Sequence, residues 1–271
     1  MMLSWDKIEA ISGWFGFHSY AVWRSLLDFQ NAENLHGDLL EIGVWQGRSA
    51  SVLAAYCRDD ETLYLCDLRL DDPTLRTTLQ EAGAKDRKIV TIAAPSNALA
   101  GRLDLRAMYQ SLRWMHVDGE HTGVAVYREL ELANQLVRPD GLVVIDDFFS
   151  PRYPANTTEA VRYLEKNPFH FRLFAVGFNK GYFCRPESLP KYMDFAVERL
   201  SDALLAYGCK TTLFKTTNAW DTDAIGITGF ADDAGTLAGP DTNPHYWDVL
   251  LRQPVRPLRA RLRNAWRELT R

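Results

Sequence analysis

The chain has 271 residues, 46% hydrophobic and 24% charged, an ordinary globular balance that fits one large domain with or without appendages. Lys plus Arg number 31 against 35 Asp plus Glu, and the resulting net charge of −4 excludes a globally basic nucleic-acid binder. No apolar run reaches the ~20 residues of a membrane span, no basic-then-apolar leader opens the chain, and Cys57, Cys66, Cys184 and Cys209 include no C-x-x-C pair. A cytoplasmic protein with reduced thiols is expected.

Residues 1–34 hold Trp5, Trp14, Phe15, Phe17, His18, Tyr20, Trp23 and Phe29, and 17–30 carry the apolar stripe of a helix, so this segment reads as an N-terminal helical cap. From 38 to 149 strands and helices alternate. Strands are predicted at 39–44, 62–67, 88–92, 113–118 and 142–146, and helices at 48–58, 73–82, 96–110 and 122–137. The strands are almost continuously apolar, as parallel strands covered on both faces must be. Right-handed crossovers then give an α/β, doubly wound sheet with helices on both faces.

After 150 the pattern changes. A helix at 157–166 precedes two strands, 169–178 and 181–184, joined by a tight turn at Asn179-Lys180-Gly181. A helix at 190–207 and strands at 211–217 and 224–228 follow, and the glycines and prolines of 229–244 predict a loop. Residues 252–271 hold seven arginines and one glutamate, with Leu258, Leu262 and Leu269 on one helical face. The boundaries expected are a cap at 1–34, a ligand-binding domain at 35–188 and a C-terminal extension at 189–271 ending in a basic amphipathic helix. That helix or the cap is a candidate surface for a homo-oligomer, and the basic helix is also a candidate for peripheral membrane contact.

Open parallel sheets bind ligands at the carboxyl ends of their strands. The first strand ends in Glu41-Ile42-Gly43-Val44-Trp45-Gln46-Gly47, where Gly43 and Gly47 let a ligand approach backbone N–H groups. Asp67 ends the second strand, placed for the hydroxyls of a ribose. The spacing E-x-G-x-x-x-G differs from the G-x-G-x-x-G of a dinucleotide site, which favours an adenosyl ligand over NAD.

Asp118 ends the fourth strand, and Asp146 and Asp147 end the fifth. In the order 3-2-1-4-5 these ends are neighbours, and three converging carboxylates call for a cation. Hard oxygen ligands suit Mg²⁺, with Mn²⁺ an alternative. In the other reading Asp146 caps a loop and Asp147 faces water. His121 is the first candidate for a general base and Glu120 the second; His121 contacting only solvent is the alternative.

Three segments, DLLEIGVWQGRSAS (38–51), HVDGEHT (116–122) and LVRPDGLVVIDDF (136–148), resemble class I S-adenosylmethionine-dependent methyltransferases, above all the methyltransferase 24 family. That family is similar to metal-dependent O-methyltransferases of antibiotic and sugar tailoring. The resemblance spans residues 35–185 and implies a seven-stranded, mostly parallel sheet of order 3-2-1-4-5-7-6. It implies that Glu41, Gly43, Gly47 and Ser49 hold the methionine part of the cofactor, that Asp67 holds its ribose, that Ser96 lies near the adenine and that Asp118 also faces the cofactor. It maps a metal to Asp118, Asp146 and Asp147. The chain departs from the family in having Gly123 where an aromatic residue is common, and Pro95-Ser96 where an Asp-Ser pair is common.

The activity expected is metal-dependent methyl transfer to a hydroxyl of a sugar, a glycosylated metabolite or a catechol-like small molecule. A metal-free methyltransferase acting on an amine is the alternative. A cofactor-binding scaffold without turnover is a reading of another class, and an NAD-dependent oxidoreductase is a further enzyme reading.

Overall fold

A computed structural model describes residues 3–84, 87–216 and 223–229. Of the predicted loop of 229–244 only Gly229 is described, and it ends a strand; the rest of that loop and the basic segment 252–271 lie outside the described residues. Two helices, α1 (Trp5–Glu9) and α2 (Phe17–Ala32), precede the alternating region. That region runs β1 (Asp38–Ile42), α3 (Arg48–Tyr56), β2 (Thr62–Asp67), α4 (Asp72–Glu81), β3 (Lys88–Ala93), β4 (Leu112–Val117), α5 (Gly123–Leu136) and β5 (Val137–Asp146). Then come α6 (Pro154–Lys166), β6 (Arg172–Gly177), β7 (Lys180–Cys184), α7 (Leu189–Glu198), α8 (Leu200–Ala206), β8 (Thr211–Thr216) and β9 (Ala224–Gly229).

The sheet has order β3-β2-β1-β4-β5-β7-β6-β9-β8. The first seven places follow the expected order, with β7 antiparallel to β5 and to β6. The expected total of seven is corrected to nine among the described residues. Strand β6 would otherwise present an open row of N–H and C=O groups, the edge that proteins tend to cover. Here β9 pairs parallel to β6, and β8 pairs antiparallel to β9. Part of the expected C-terminal extension therefore continues the same sheet.

Three local expectations also change. The helix predicted at 96–110 is only a 3₁₀ turn, Ser96–Gly101; beyond it the Asp104 carboxylate accepts from the Ala107 amide at 3.0 Å, starting a new turn. The helix predicted at 190–207 breaks at Arg199, whose φ of −125° is not helical and whose guanidinium lies over the Phe29 and Phe195 rings. The tight turn sits at Phe178-Asn179, with φ of 51° and 64°, the two-residue geometry that suits a twisted hairpin. That one-residue shift puts Lys180 in β7, opposite Asp146.

The sheet separates two apolar layers. On one face α2, α3, α7 and α8 cover Leu39, Trp114, Val144 and Tyr182; on the other α5 and α6 cover Ile42, Val117, Ile145 and Phe183. Alternation along each strand assigns the residues to these faces. The N-terminal segment is tied to α3 by Arg48, which donates to the Ile8 carbonyl at 3.1 Å and to the Gly13 carbonyl at 2.6 Å.

At the opposite end of the sheet Arg113 is fully buried. It donates to both Glu61 oxygens, at 2.7 and 2.9 Å, and to Gln30 Oε1 at 2.8 Å. The Gln30 amide returns a bond to the Arg113 carbonyl at 2.9 Å and meets the Tyr192 hydroxyl at 3.0 Å. One polar network thus joins α2, β4 and α7. Removing one member of a buried pair strands its partner's charge. Arg113→Met is expected to cost roughly 3–5 kcal/mol, read as a lower urea midpoint at unchanged slope; a midpoint equal to that of the parent chain would contradict this assignment.

Candidate active site

The strand ends of β1, β2, β4 and β5 form one rim. Gly43, with φ +86°, closes the end of β1 against β4: a Cβ there would lie 1.8 Å from the Asp118 carbonyl oxygen. Only glycine permits this approach. Gly47, with φ +89°, caps α3, where a Cβ would meet Leu75 at 2.5 Å. Ser49 lies buried in the first turn of α3.

Asp67 does more than wait at the end of β2. Its Oδ2 accepts the amides of Val44 and Trp45 at 2.9 and 2.8 Å, and its Oδ1 accepts that of Arg69 at 2.9 Å. Those bonds hold Trp45 at φ +50°, a conformation uncommon outside glycine. Trp45 is half exposed, and its ring lies 5.6 Å from that of the exposed Trp14 of the cap.

Behind the rim a row of charged side chains crosses four adjacent strands. Glu41 of β1 lies 2.8 Å from His116 Nδ1 of β4; His116 Nε2 lies 3.3 Å from Asp146 Oδ2 of β5; and the same Asp146 oxygen pairs with the ammonium of Lys180 of β7. All four are buried. Burial opposes the imidazolium, but the Asp146 and Glu41 carboxylates outweigh it and push the His116 pKa up to about 9. Burial likewise opposes the Asp146 carboxylate, and Lys180 and His116 nevertheless hold its pKa well below the usual range. The row alternates in sign, and the cap covers it: Trp23 sets its edge 4.6 Å from His116, and Lys180 lies over Phe15.

Two acids remain in front of the row. Burial and the neighbouring Asp146 charge raise the Asp118 pKa well above the ordinary value. Asp147, at φ +52°, accepts from the Asn179 side-chain amide and has His121 Nδ1 at 3.5 Å from its Oδ2. At 3.5 Å this is a loose contact for a direct hydrogen bond. The His121 ring rests against Tyr153 at 4.1 Å. Ligand atoms within 4.8 Å of one another occur in two sets, His116-Asp118-Asp146 and Asp118-His121-Asp147.

The predicted residues are thus distributed as follows. Glu41 and Asp146 lie in the charged row, Asp118 and Asp147 stand in front of it with His121, and the exposed Glu120 is next to His121 in the chain. Ser96 sits across Gly119, on the α5 side of the rim, with its hydroxyl buried beside Glu129. Sequence reasoning missed His116, Lys180 and Asn179. His116 is two residues before Asp118 on the same face, and correct placement of the hairpin turn would have paired Lys180 with Asp146.

Residues 40–148 match the family model described as a methyltransferase domain, methyltransferase 24. No curated protein matches the sequence. Among solved structures the chain is similar to the O-methyltransferase NovP, at TM-score 0.52 and 17% identity over 63% of this chain and 80% of that one. It is similar to apo CalS11, a TDP-rhamnose 3'-O-methyltransferase of calicheamicin biosynthesis, at TM-score 0.50 and 15% identity over 64% of this chain and 81% of that one. It is also similar to cofactor-bound Rv0187 from MTB, at TM-score 0.50 and 16% identity over 68% and 87% of the two chains. At these identities the structural likeness speaks for the fold alone. Through its residues 40–148, the chain resembles the methyltransferase 24 family of class I S-adenosylmethionine-dependent methyltransferases.

Proposed function

We propose that the protein transfers the methyl group of S-adenosylmethionine to a hydroxyl of a sugar or another polyhydroxylated small molecule, with help from a divalent cation. The observation that carries this reading is the junction of two features at one rim: the Gly43 turn pressed onto the Asp118 backbone, and the Asp118-His121-Asp147 cluster beside it. Methyl transfer needs the acceptor oxygen in line with the S–CH₃ bond and a group to take its proton. The oxygen–methyl bond forms as the sulfonium–methyl bond breaks, and the sulfonium leaves as a neutral thioether.

On the cofactor side, Asp67 serves twice. It fixes the Val44-Trp45 turn, and its remaining lone-pair directions can accept from the ribose hydroxyls. The free oxygen of Glu41, buried and without a partner, fits the ammonium of the methionine part. On the acceptor side, the exposed Trp14–Trp45 pair flanks the cofactor turn and suits stacking on a sugar ring. CalS11, one of the similar structures, is described as acting on TDP-rhamnose.

The donor chemistry of the front cluster fits a cation. Among the described residues Asp118 and Asp147 form no ion pair with a lysine or arginine, whereas Asp146 is already paired with Lys180, whose charge also reaches Asp118. The set of Asp118, Asp147 and His121 would hold the ion, with Asp146 behind it as an anchor that also accepts the Asp147 amide at 2.7 Å. The imidazole favours Mn²⁺ over Mg²⁺. A bound cation would lower the pKa of an acceptor hydroxyl. Glu120, exposed and adjacent, would then take the proton. The metal-free reading is favoured by one observation, the internal ammonium of Lys180 at the acidic rim; there His121, oriented by Asp147, is the base.

Two outcomes are expected. Asp67→Ala should weaken S-adenosylhomocysteine binding roughly 10–100-fold, the worth of one or two charge-assisted hydrogen bonds, as read by calorimetry; affinity within about twofold of the parent would contradict its role. Exhaustive chelation should abolish methyl transfer to a panel of sugar nucleotides and glycosides, followed by mass spectrometry, and Mn²⁺ should restore it better than Mg²⁺. Turnover unchanged by chelation, with loss in His121→Ala, would select the metal-free reading.

A further inference from the structure

Among the described residues Lys180 is the one lysine or arginine that pairs with any of the acids Glu41, Asp118, Asp146 and Asp147. It is 3% exposed, and its ammonium lies 5.7 Å over the Phe15 ring. Lysine is seldom buried this fully, because its charge must leave water.

The backbone leaves Lys180 little freedom. It stands opposite Asp146 in the β5–β7 register and opposite Gly177 of β6. The next residue, Gly181, packs on Phe148, where a Cβ would come 2.9 Å from the ring. The residue before it, Asn179, accepts the Phe148 amide at 3.0 Å and gives its own side-chain amide to Asp147. The tip of one hairpin thus meets two successive acids with two different groups, an ammonium for Asp146 and a neutral amide for Asp147.

The consequence lies in the two sets of ligand atoms. They share Asp118; the rear set adds His116 and Asp146, and the front set adds His121 and Asp147. In the rear set both Asp146 oxygens are engaged inside the protein. Oδ2 meets the Lys180 ammonium and His116 Nε2 at 3.3 Å, and Oδ1 accepts the Asp147 amide at 2.7 Å. In the front set, among the described residues, Asp147 Oδ2 has only the loose His121 contact at 3.5 Å. A divalent ion entering the rear set would meet a fixed positive charge already on the Asp146 oxygen, and like charges this close repel strongly away from water.

We infer that Lys180 is the resident cation of the rear set: its ammonium stands in for a divalent ion among His116, Asp118 and Asp146, and so confines the ion to the front set, with two carboxylates where the rim offers three. This inference rests on the cation reading given above and adds what sets the strength of binding. Affinity for a hard cation follows the charge of its ligands, so a set with one carboxylate fewer and an ammonium behind it holds its ion loosely.

The test is titration of Mn²⁺ into the chelator-stripped full chain, parent and variants, at one ionic strength, with the free ion followed by electron paramagnetic resonance. Lys180→Met keeps an unbranched stem over Phe15 and removes the ammonium. It is expected to bind Mn²⁺ about tenfold tighter or more, since a repelling charge is lost and a carboxylate is freed. Mere damage to the packing would not give such a gain. The double variant Lys180→Met with Asp146→Asn removes the pair as a neutral unit, and it should stay within about threefold of the parent. It keeps the test decisive if Lys180→Met alone does not fold. A gain below about threefold in Lys180→Met would overturn the inference. A loss beyond about threefold in the double variant would also overturn it, because Asp146 would then be a ligand in the parent chain. Failure of the parent to bind Mn²⁺ at all would overturn the cation reading and this inference with it.

Discussion

The alternating row Glu41, His116, Asp146 and Lys180 is the constraint on which the rest of the site depends. Four charges in the interior are tolerable only because each has an opposite neighbour, and each comes from a different adjacent strand. The row therefore requires the β5–β7–β6 hairpin to sit in one register, since a shift by one residue would turn Lys180 away from Asp146. It also requires a lid. The aromatic cap supplies one through Trp23 and Phe15, and Arg48 ties the cap to α3 so that the cover stays in place. The aromatic richness of the first thirty residues thus follows from what they cover.

With the row internally balanced, the surplus charge at the rim is defined. Asp118 and Asp147 stand in front of it with His121, and they are the groups free to meet a cation or an acceptor. Lys180 thereby sets Asp146 apart from the other two carboxylates: Asp146 is paired behind, and Asp118 and Asp147 are left for the proposed chemistry. The sheet divides the rim a second time. The α2 side carries the charged row, while Ser96, Gly119 and Glu129 of α5 lie together on the other.

Much of this was legible in the sequence because parallel strands announce themselves as apolar runs whose last residue lies at the ligand edge. Asp67, Asp118, Asp146 and Asp147 were found by position alone, and the first seven places of the sheet followed from the alternation and the resemblance together. What was hidden depended on backbone detail or on long-range pairing. Placing the hairpin turn at Asn179-Lys180-Gly181 concealed Lys180. The amides that occupy Asp67 were invisible because they require Trp45 at positive φ. Glu129 falls on the buried face of an amphipathic helix, where pattern alone assigns a residue to the core. Strands β8 and β9 are predicted at 211–217 and 224–228, but their place in the sheet was hidden, and the open edge of β6 explains why they join it.

The central claim is that this rim binds an adenosyl cofactor and not a dinucleotide. The most direct test is calorimetric titration of S-adenosylhomocysteine into the chelator-stripped full chain, with NADH titrated in parallel. The account predicts roughly micromolar binding of S-adenosylhomocysteine and no heat from NADH. Binding of NADH without S-adenosylhomocysteine, or of neither ligand, would contradict it.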